Sequence, residues 1–237
     1  MTASRASCRR SVACRGQHGV SLVEIMVGLA VGLFVVGGAL SSFVSNVTSS
    51  RRMLVEARMH QDLRAAADLI SRDLRRAGYW GNAIRGTIAV GSGSATTPNP
   101  YGAIATAASS VGYNYSTAAN GSSAENDALD VGEQFGFRIA GDGVIQMQMA
   151  ANNWQDLTDK NVMKVTSLSI DSTGTASIPM GSACATPVAA NAANYPYIVL
   201  RQYTLTLTAQ AADDASVTRQ LRMQVKARND AFTGACA

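Results

Sequence analysis

Between Ile25 and Ser50 the chain carries no charged side chain, and the run IMVGLAVGLFVVGGAL inside that stretch is apolar at nearly every position. A helix that crosses a membrane needs about 20 mostly apolar residues to cover about 30 Å of hydrocarbon. Val20 to Val44 offers 25 positions, so the segment reads as a true span. A secretory signal would have a shorter apolar core, about 7 to 15 residues, with a small-residue cleavage site after it. Arg5, Arg9, Arg10 and Arg15 precede the span and no charge follows it until Arg51 and Arg52. The positive-inside rule therefore predicts a cytoplasmic N-terminus, a single pass and an exported C-terminal part.

The charge balance narrows the function classes. The chain has 237 residues and a formal net charge of +4, and its first 19 residues hold four arginines and no acid. The surplus is therefore confined to the front. Residues 79 to 237 hold nine basic against eleven acidic side chains. Nucleic acid binding needs Lys and Arg clustered on the folded domain and is disfavoured. His18 and His60 are the only histidines, which leaves little material for an imidazole-based metal site or a catalytic triad. No metal, no cofactor and no catalytic residue is expected. Asp127, Asp130 and Glu133 form the one carboxylate cluster worth testing against Ca²⁺, but their spacing lacks the ligand alternation of a calcium loop. A solvated face is the expectation.

One side chain in the span is out of place. An unpaired carboxylate at Glu24 costs roughly 2.5 to 3.5 kcal/mol at a helix centre on insertion scales. It can snorkel to the headgroups from its position near the end of the span, or it can pair with a cation. A basic leader ending in Gly19, then VSLVE, then an unbroken apolar run resembles a type IV prepilin leader. In that family a membrane peptidase cuts after the glycine, the new N-terminus is methylated, and the carboxylate at the fifth mature position is kept. The resemblance implies cleavage between Gly19 and Val20, N-methylation of Val20, and a subunit-docking role for Glu24, which is fifth from the cut. Val20 stands where the family usually has Phe. In the family the carboxylate is thought to meet the free amine of a neighbouring subunit as the two pack together.

Beyond the span, Leu63, Ala66, Ala67, Ile70, Leu74 and Ala77 recur three and four apart, one face of an amphipathic helix. Arg64, Asp68 and Arg72 stand four apart and are placed to pair across a solvated face. Arg72, Arg75 and Arg76 suit the negative end of the helix dipole, and Gly78 is placed to stop the helix. A helix from Val20 to about Arg76 is a rod of roughly 85 Å. RDLRRAGYWGN, residues 72–82, resembles the end of the long helix in PilW-type minor pilins, and VKARN, residues 225–229, resembles their last strand.

Residues 91–126 are rich in Gly, Ala, Ser, Thr and Asn and read as a long exposed loop. After it, QFGFRIA and VIQMQMA flank Gly141-Asp142-Gly143 as a hairpin, VMKVTSLSI is a further strand, and YTLTLT pairs with TRQLRMQVKAR across AADDAS. The fold class is α+β: a long N-terminal helix, membranous in its first half, packed by its second half on an antiparallel sheet. The expected organisation is leader 1–19, transmembrane half 20–45, amphipathic half 46–78 and exported domain 79–237. Cys184 and Cys236 fall in the exported part, where an oxidising compartment permits a bridge closing about fifty residues and contributing about 4 kcal/mol. A free pair is the alternative.

The resemblance implies a structural protein with no enzymatic activity: a minor pilin that helps initiate a type IV pilus. Its expected partners are other minor and major pilins, the prepilin peptidase and the inner-membrane assembly machinery. A J-type minor pseudopilin of a type II secretion system shares the same features. A singly anchored periplasmic enzyme or sensor is the reading in which Gly19 and Glu24 are coincidences.

Overall fold

The structure, a computed structural model, describes residues 19–86, 97–118, 124–184 and 186–234. The chain divides between Arg51 and Arg52 into two units. Helix α1, Leu22–Arg76, contributes to both.

Among the described residues of the first unit α1 is the whole of the regular structure, and there it is apolar on every side. Fifteen large apolar side chains between Val20 and Val44 are exposed. Burying one such side chain is worth about 1.5 to 3 kcal/mol. Leaving fifteen in water would outweigh the 5 to 15 kcal/mol by which a whole domain is stable. This half of the helix fits hydrocarbon by length and composition.

The second unit begins in the same helix and changes character. Met59, Leu63, Ala66, Ala67, Ile70 and Leu74 are buried along one stripe, the face expected from their spacing. Arg64, Asp68 and Arg72 are exposed as expected, but no ion pair joins them among the described residues. The ion pair on that turn runs instead from Arg76 to the buried Asp73, at 3.8 Å, and the Tyr113 hydroxyl donates to the same carboxylate at 3.0 Å. Burial, and then the Asp73 charge, push the Tyr113 phenol well above its ordinary pKa, so it remains a donor.

Among the described residues eleven strands follow, all paired antiparallel: β1 Ile104–Ala107, β2 Ser110–Asn114, β3 Gln134–Ile139, β4 Ile145–Ala150, β5 Asn153–Asp156, β6 Met163–Asp171, β7 Ala176–Pro179, β8 Tyr197–Leu200, β9 Gln202–Ala211, β10 Thr218–Lys226 and β11 Ala231–Thr233. They form three sheets, ordered β1-β2-β3-β4-β5, β10-β9-β6 and β11-β8-β7. Both hairpins expected from sequence are present. β3 pairs with β4 from Gly136 with Gln148 to Ile139 with Ile145, and Gly143 takes φ +83 in the turn. β9 pairs with β10 from Gln202 with Lys226 to Gln210 with Thr218. The strand over VMKVTSLSI is β6, bulged between Val165 and Ser167 where it meets β9. Leu205, Leu207 and Ala209 of β9 alternate inward and join Val165 and Leu168 of β6, Phe137 of β3 and the α1 stripe in one core. β7 is a short, exposed edge strand ending in Pro179, which leaves a poor template for further pairing.

The expected exposed loop over 91–126 is corrected in part. Residues 91–96 and 119–123 lie outside the described residues, but β1 and β2 lie between them, and Tyr101, Val111 and Tyr113 are among the most deeply buried side chains. The physical reason is the period-two run Val111, Tyr113, Tyr115, which a sheet face can bury however small the neighbouring residues are. The expected α+β arrangement, a long N-terminal helix followed by antiparallel sheet, is present, with the strands of the described residues divided among three sheets.

Gly78 ends α1 as its sequence position implies. Its φ is +76, and a Cβ there would lie 2.8 Å from the Arg201 guanidinium. Gly78→Ala should destabilise this unit by about 2 kcal/mol through the left-handed backbone and the displaced guanidinium. A melting temperature within 1 °C of wild type would contradict this, because about 2 to 4 °C is lost per kcal/mol at this size.

Candidate functional site

Two places on α1 carry side chains whose chemistry the fold does not absorb. At the N-terminal end, Gly19 and Val20 precede the helix, the Ser21 carbonyl accepts from the Ile25 amide at 3.2 Å, and Glu24 lies in the first turn. Ser21 and Glu24 stand three apart as in a capping box, yet neither side chain makes that bond among the described residues. Glu24 has no hydrogen bond or ion pair there at all. It is a carboxylate at the edge of an apolar helix, with Val20 also exposed. The leader before Gly19 lies outside the described residues.

At the C-terminal end, the last turn is closed by the end of the chain. Arg228 donates its amide to the Arg75 carbonyl at 3.0 Å. The Asn229 amide donates to the carbonyls of Arg76 and Ala77 at 3.1 and 3.2 Å. Helix carbonyls left open by the stop at Gly78 are thus satisfied by the segment after β10. Sequence reading picked out both stretches, RDLRRAGYWGN and VKARN, and the fold brings them into contact.

The first stretch is also fixed from a third direction. Trp80 and Asn82 donate to the Asp127 carboxylate at 2.8 and 3.1 Å, and Arg85 pairs with it. Glu125, which is buried, accepts from the Tyr101 hydroxyl at 2.9 Å, the Asp127 amide at 2.9 Å, the Gly81 amide at 3.3 Å and the Ser116 hydroxyl. Burial raises the Glu125 pKa, but these hydrogen bonds outweigh it and hold the carboxyl below its ordinary value. Asp127 behaves alike: desolvation raises it, and the Trp80, Asn82 and Arg85 contacts bring it down.

This corrects the expected solvated face at Asp127 and Glu133, while Asp130 is exposed as expected. Glu133 is buried and forms a capping box with Asp130 around the 3-10 turn Val131–Glu133, and Asp127 anchors the turn after α1. No group of three or more His, Cys, Asp or Glu suited to a metal occurs among the described residues. Asp73, Glu125 and Arg201 are buried charged groups that sequence reading missed, because nothing in a single sequence marks a charged residue as buried. Cys184 is buried and disulfide-bonded, while Cys236 lies outside the described residues.

The family comparison bears on both ends of α1. A family model described as prepilin peptidase-dependent protein B matches residues 52–227, well over half of the chain. The chain belongs to that family. A second model, the prokaryotic N-terminal methylation motif, matches residues 14–40, which include Gly19, Val20 and Glu24. No curated protein and no solved structure matches the chain. The two family matches make it a type IV pilin-like prepilin protein, and they imply processing by a prepilin peptidase and a pilin assembly context. The apolar helix next to the methylation motif suits a single-pass anchor with the C-terminal domain outside the membrane.

Proposed function

We propose that the chain is a minor pilin of the PilW type that helps initiate a type IV pilus together with other minor and major pilins. In this reading the prepilin peptidase cuts between Gly19 and Val20, Val20 is methylated, and the mature chain passes from the inner membrane into the filament. Glu24 pairs with the Val20 amine of a neighbouring subunit. Cys236 is the partner of Cys184, tying the C-terminal tail to the exported domain. The observation that carries the proposal is Glu24, unpaired among the described residues, in the first turn of a helix whose large apolar side chains up to Val44 are all exposed, within the matched methylation motif. A charge so placed is stabilised by an opposite charge brought by another subunit.

The test is the mass and N-terminus of the protein from cells with and without the peptidase. The expected result is a chain beginning at N-methylated Val20 only where the peptidase is present. An uncut chain, or one cut elsewhere in both strains, would overturn the proposal and favour a singly anchored periplasmic protein. Deleting the gene should abolish twitching and leave type II secretion intact. The reverse phenotype would make the chain a J-type pseudopilin.

A further inference from the structure

Beside the closed C-terminal end of α1 lies an open groove of about 710 Å³ lined by Arg75, Arg76 and Arg228 together with Tyr79, Tyr115 and Met149. No carboxylate lines it among the described residues. The arginines are not needed to cap the helix, since the carbonyls of Arg75, Arg76 and Ala77 are taken by the Arg228 amide and the Asn229 side chain. Arg76 is partly occupied by Asp73 and by the Tyr115 ring. The guanidiniums of Arg75 and Arg228 are exposed and make no hydrogen bond or ion pair among the described residues. Behind the groove, Arg201 is buried, and one of its guanidinium nitrogens has no hydrogen-bond partner. That nitrogen and the Asn229 side chain both abut Gly78. Three arginines thus line the groove, Arg201 lies beside Gly78 next to it, and among the described residues Asp73 is the one carboxylate ion-paired with any of the four. Asp230 lines the adjoining depression together with Arg75, Arg228 and Lys226, without an ion pair to any of them.

We propose that this groove is the docking site for a carboxylate-bearing segment of another pilin-like subunit, with the Asp or Glu side chains held by Arg75 and Arg228 and an apolar neighbour seated against Met149 and Tyr79. Guanidiniums are suited to this role because they meet carboxylates with two parallel donors. Aromatic rings in a basic groove are also what a nucleic acid base stacks on, but Tyr115 offers no open face. Phe135 stacks on one side at 4.0 Å between centroids, and the Arg76 guanidinium sits 4.3 Å from the centroid on the other. Base stacking, which carries much of single-strand affinity, has no platform there. A polypeptide asks only for the charges and the apolar rim. The partner's identity rests on the pilin reading, while the groove and its charge do not.

The test places benzoylphenylalanine at Met149 in the full chain, expressed with the other prepilin-leader proteins of its source cell, and maps the photo-adduct. The expected adduct is a second pilin-like subunit, joined within a few residues of an Asp or Glu. R75E/R228E should lower its yield about tenfold, since reversing charges at an ion-paired contact introduces repulsion as well as removing attraction. R75K/R228K should keep most of it, and Glu→Arg at the mapped partner position should restore the reversed variant. Both variants change exposed side chains, and matching melting curves confirm that each is folded. An adduct that is insensitive to charge reversal, or that maps to lipid, nucleic acid or a segment without a carboxylate, overturns the proposal. Cleavage after Gly19 is read in the same samples. Intact cleavage without the adduct counts against the groove alone, and absent cleavage counts against the pilin reading.

Discussion

A Glu24→Ala chain should be cut after Gly19 and methylated at Val20 like the wild type, and should then be missing from sheared filaments. The side chain sits in the first turn of a helix whose next twenty positions are uncharged, so alanine removes the one charge from that part of the helix. Inserting the helix into a bilayer becomes easier, because roughly 2.5 to 3.5 kcal/mol of carboxylate penalty at most is relieved. Packing against a neighbour becomes harder. The neighbour's amine then enters an apolar environment without its counter-charge, and removing one partner of such a pair costs about 3 to 5 kcal/mol, more than a hundredfold in the docking equilibrium. The two effects have opposite signs, which makes the experiment decisive. Glu24→Asp should recover part of the incorporation, and Glu24→Gln little of it, since a neutral amide cannot neutralise an amine. Wild-type amounts of the alanine variant in filaments would show that Glu24 only snorkels to the headgroups.

The two halves of α1 were legible from sequence for different reasons. The span announced itself by the absence of charge over more than twenty positions, a signal that needs no tertiary information. The upper half announced itself by the spacing of Leu63, Ala66, Ala67, Ile70 and Leu74, all of them buried in the structure. Strands with a regular alternation, β6, β9 and β10, were equally readable. Those that escaped, β1, β5, β7, β8 and β11, are three or four residues long, too short for a period of two to stand out from composition. β2 escaped because Gly112 between its buried Val111 and Tyr113, and Asn114 after them, gave the segment the look of a loop.

At the site, the methylation motif could be read from the sequence, but the partners of the upper helix end could not. RDLRRAGYWGN was visible as a motif, and its role became visible only when Glu125 and Asp127, more than forty residues away, closed on Trp80, Gly81 and Asn82. Such long-range polar contacts leave no periodic trace. The same holds for the arginine groove, which joins residues 75 and 76 to residue 228 through the register of β9 with β10 and the turn that follows.

That closure gives the second large effect. Glu125→Ala should lower the melting temperature of the exported domain in the full chain by about 6 to 12 °C. The carboxylate accepts from the hydroxyls of Tyr101 and Ser116 and the amides of Gly81 and Asp127, all in a buried setting. Removing it strands donors that cost about 1 to 3 kcal/mol each when left unpaired, tempered by whatever water enters the space. A net loss of about 3 kcal/mol gives the stated shift for a domain of this size. The pH dependence has a definite sign. The folded Glu125 pKa is lowered, since its hydrogen bonds outweigh the burial that alone would raise it. Its contribution is complete above about pH 4.3, the ordinary glutamate value, and fades as the pH falls through the lower folded value. The difference in melting temperature between wild type and Glu125→Ala should therefore hold steady from pH 7 to pH 5 and narrow on further acidification. Asp127, also lowered in the fold, keeps its own contribution in both proteins and so drops out of the comparison. A gap that widened in acid would mean that Glu125 is protonated in the folded domain, and would replace the charged hub with a neutral one.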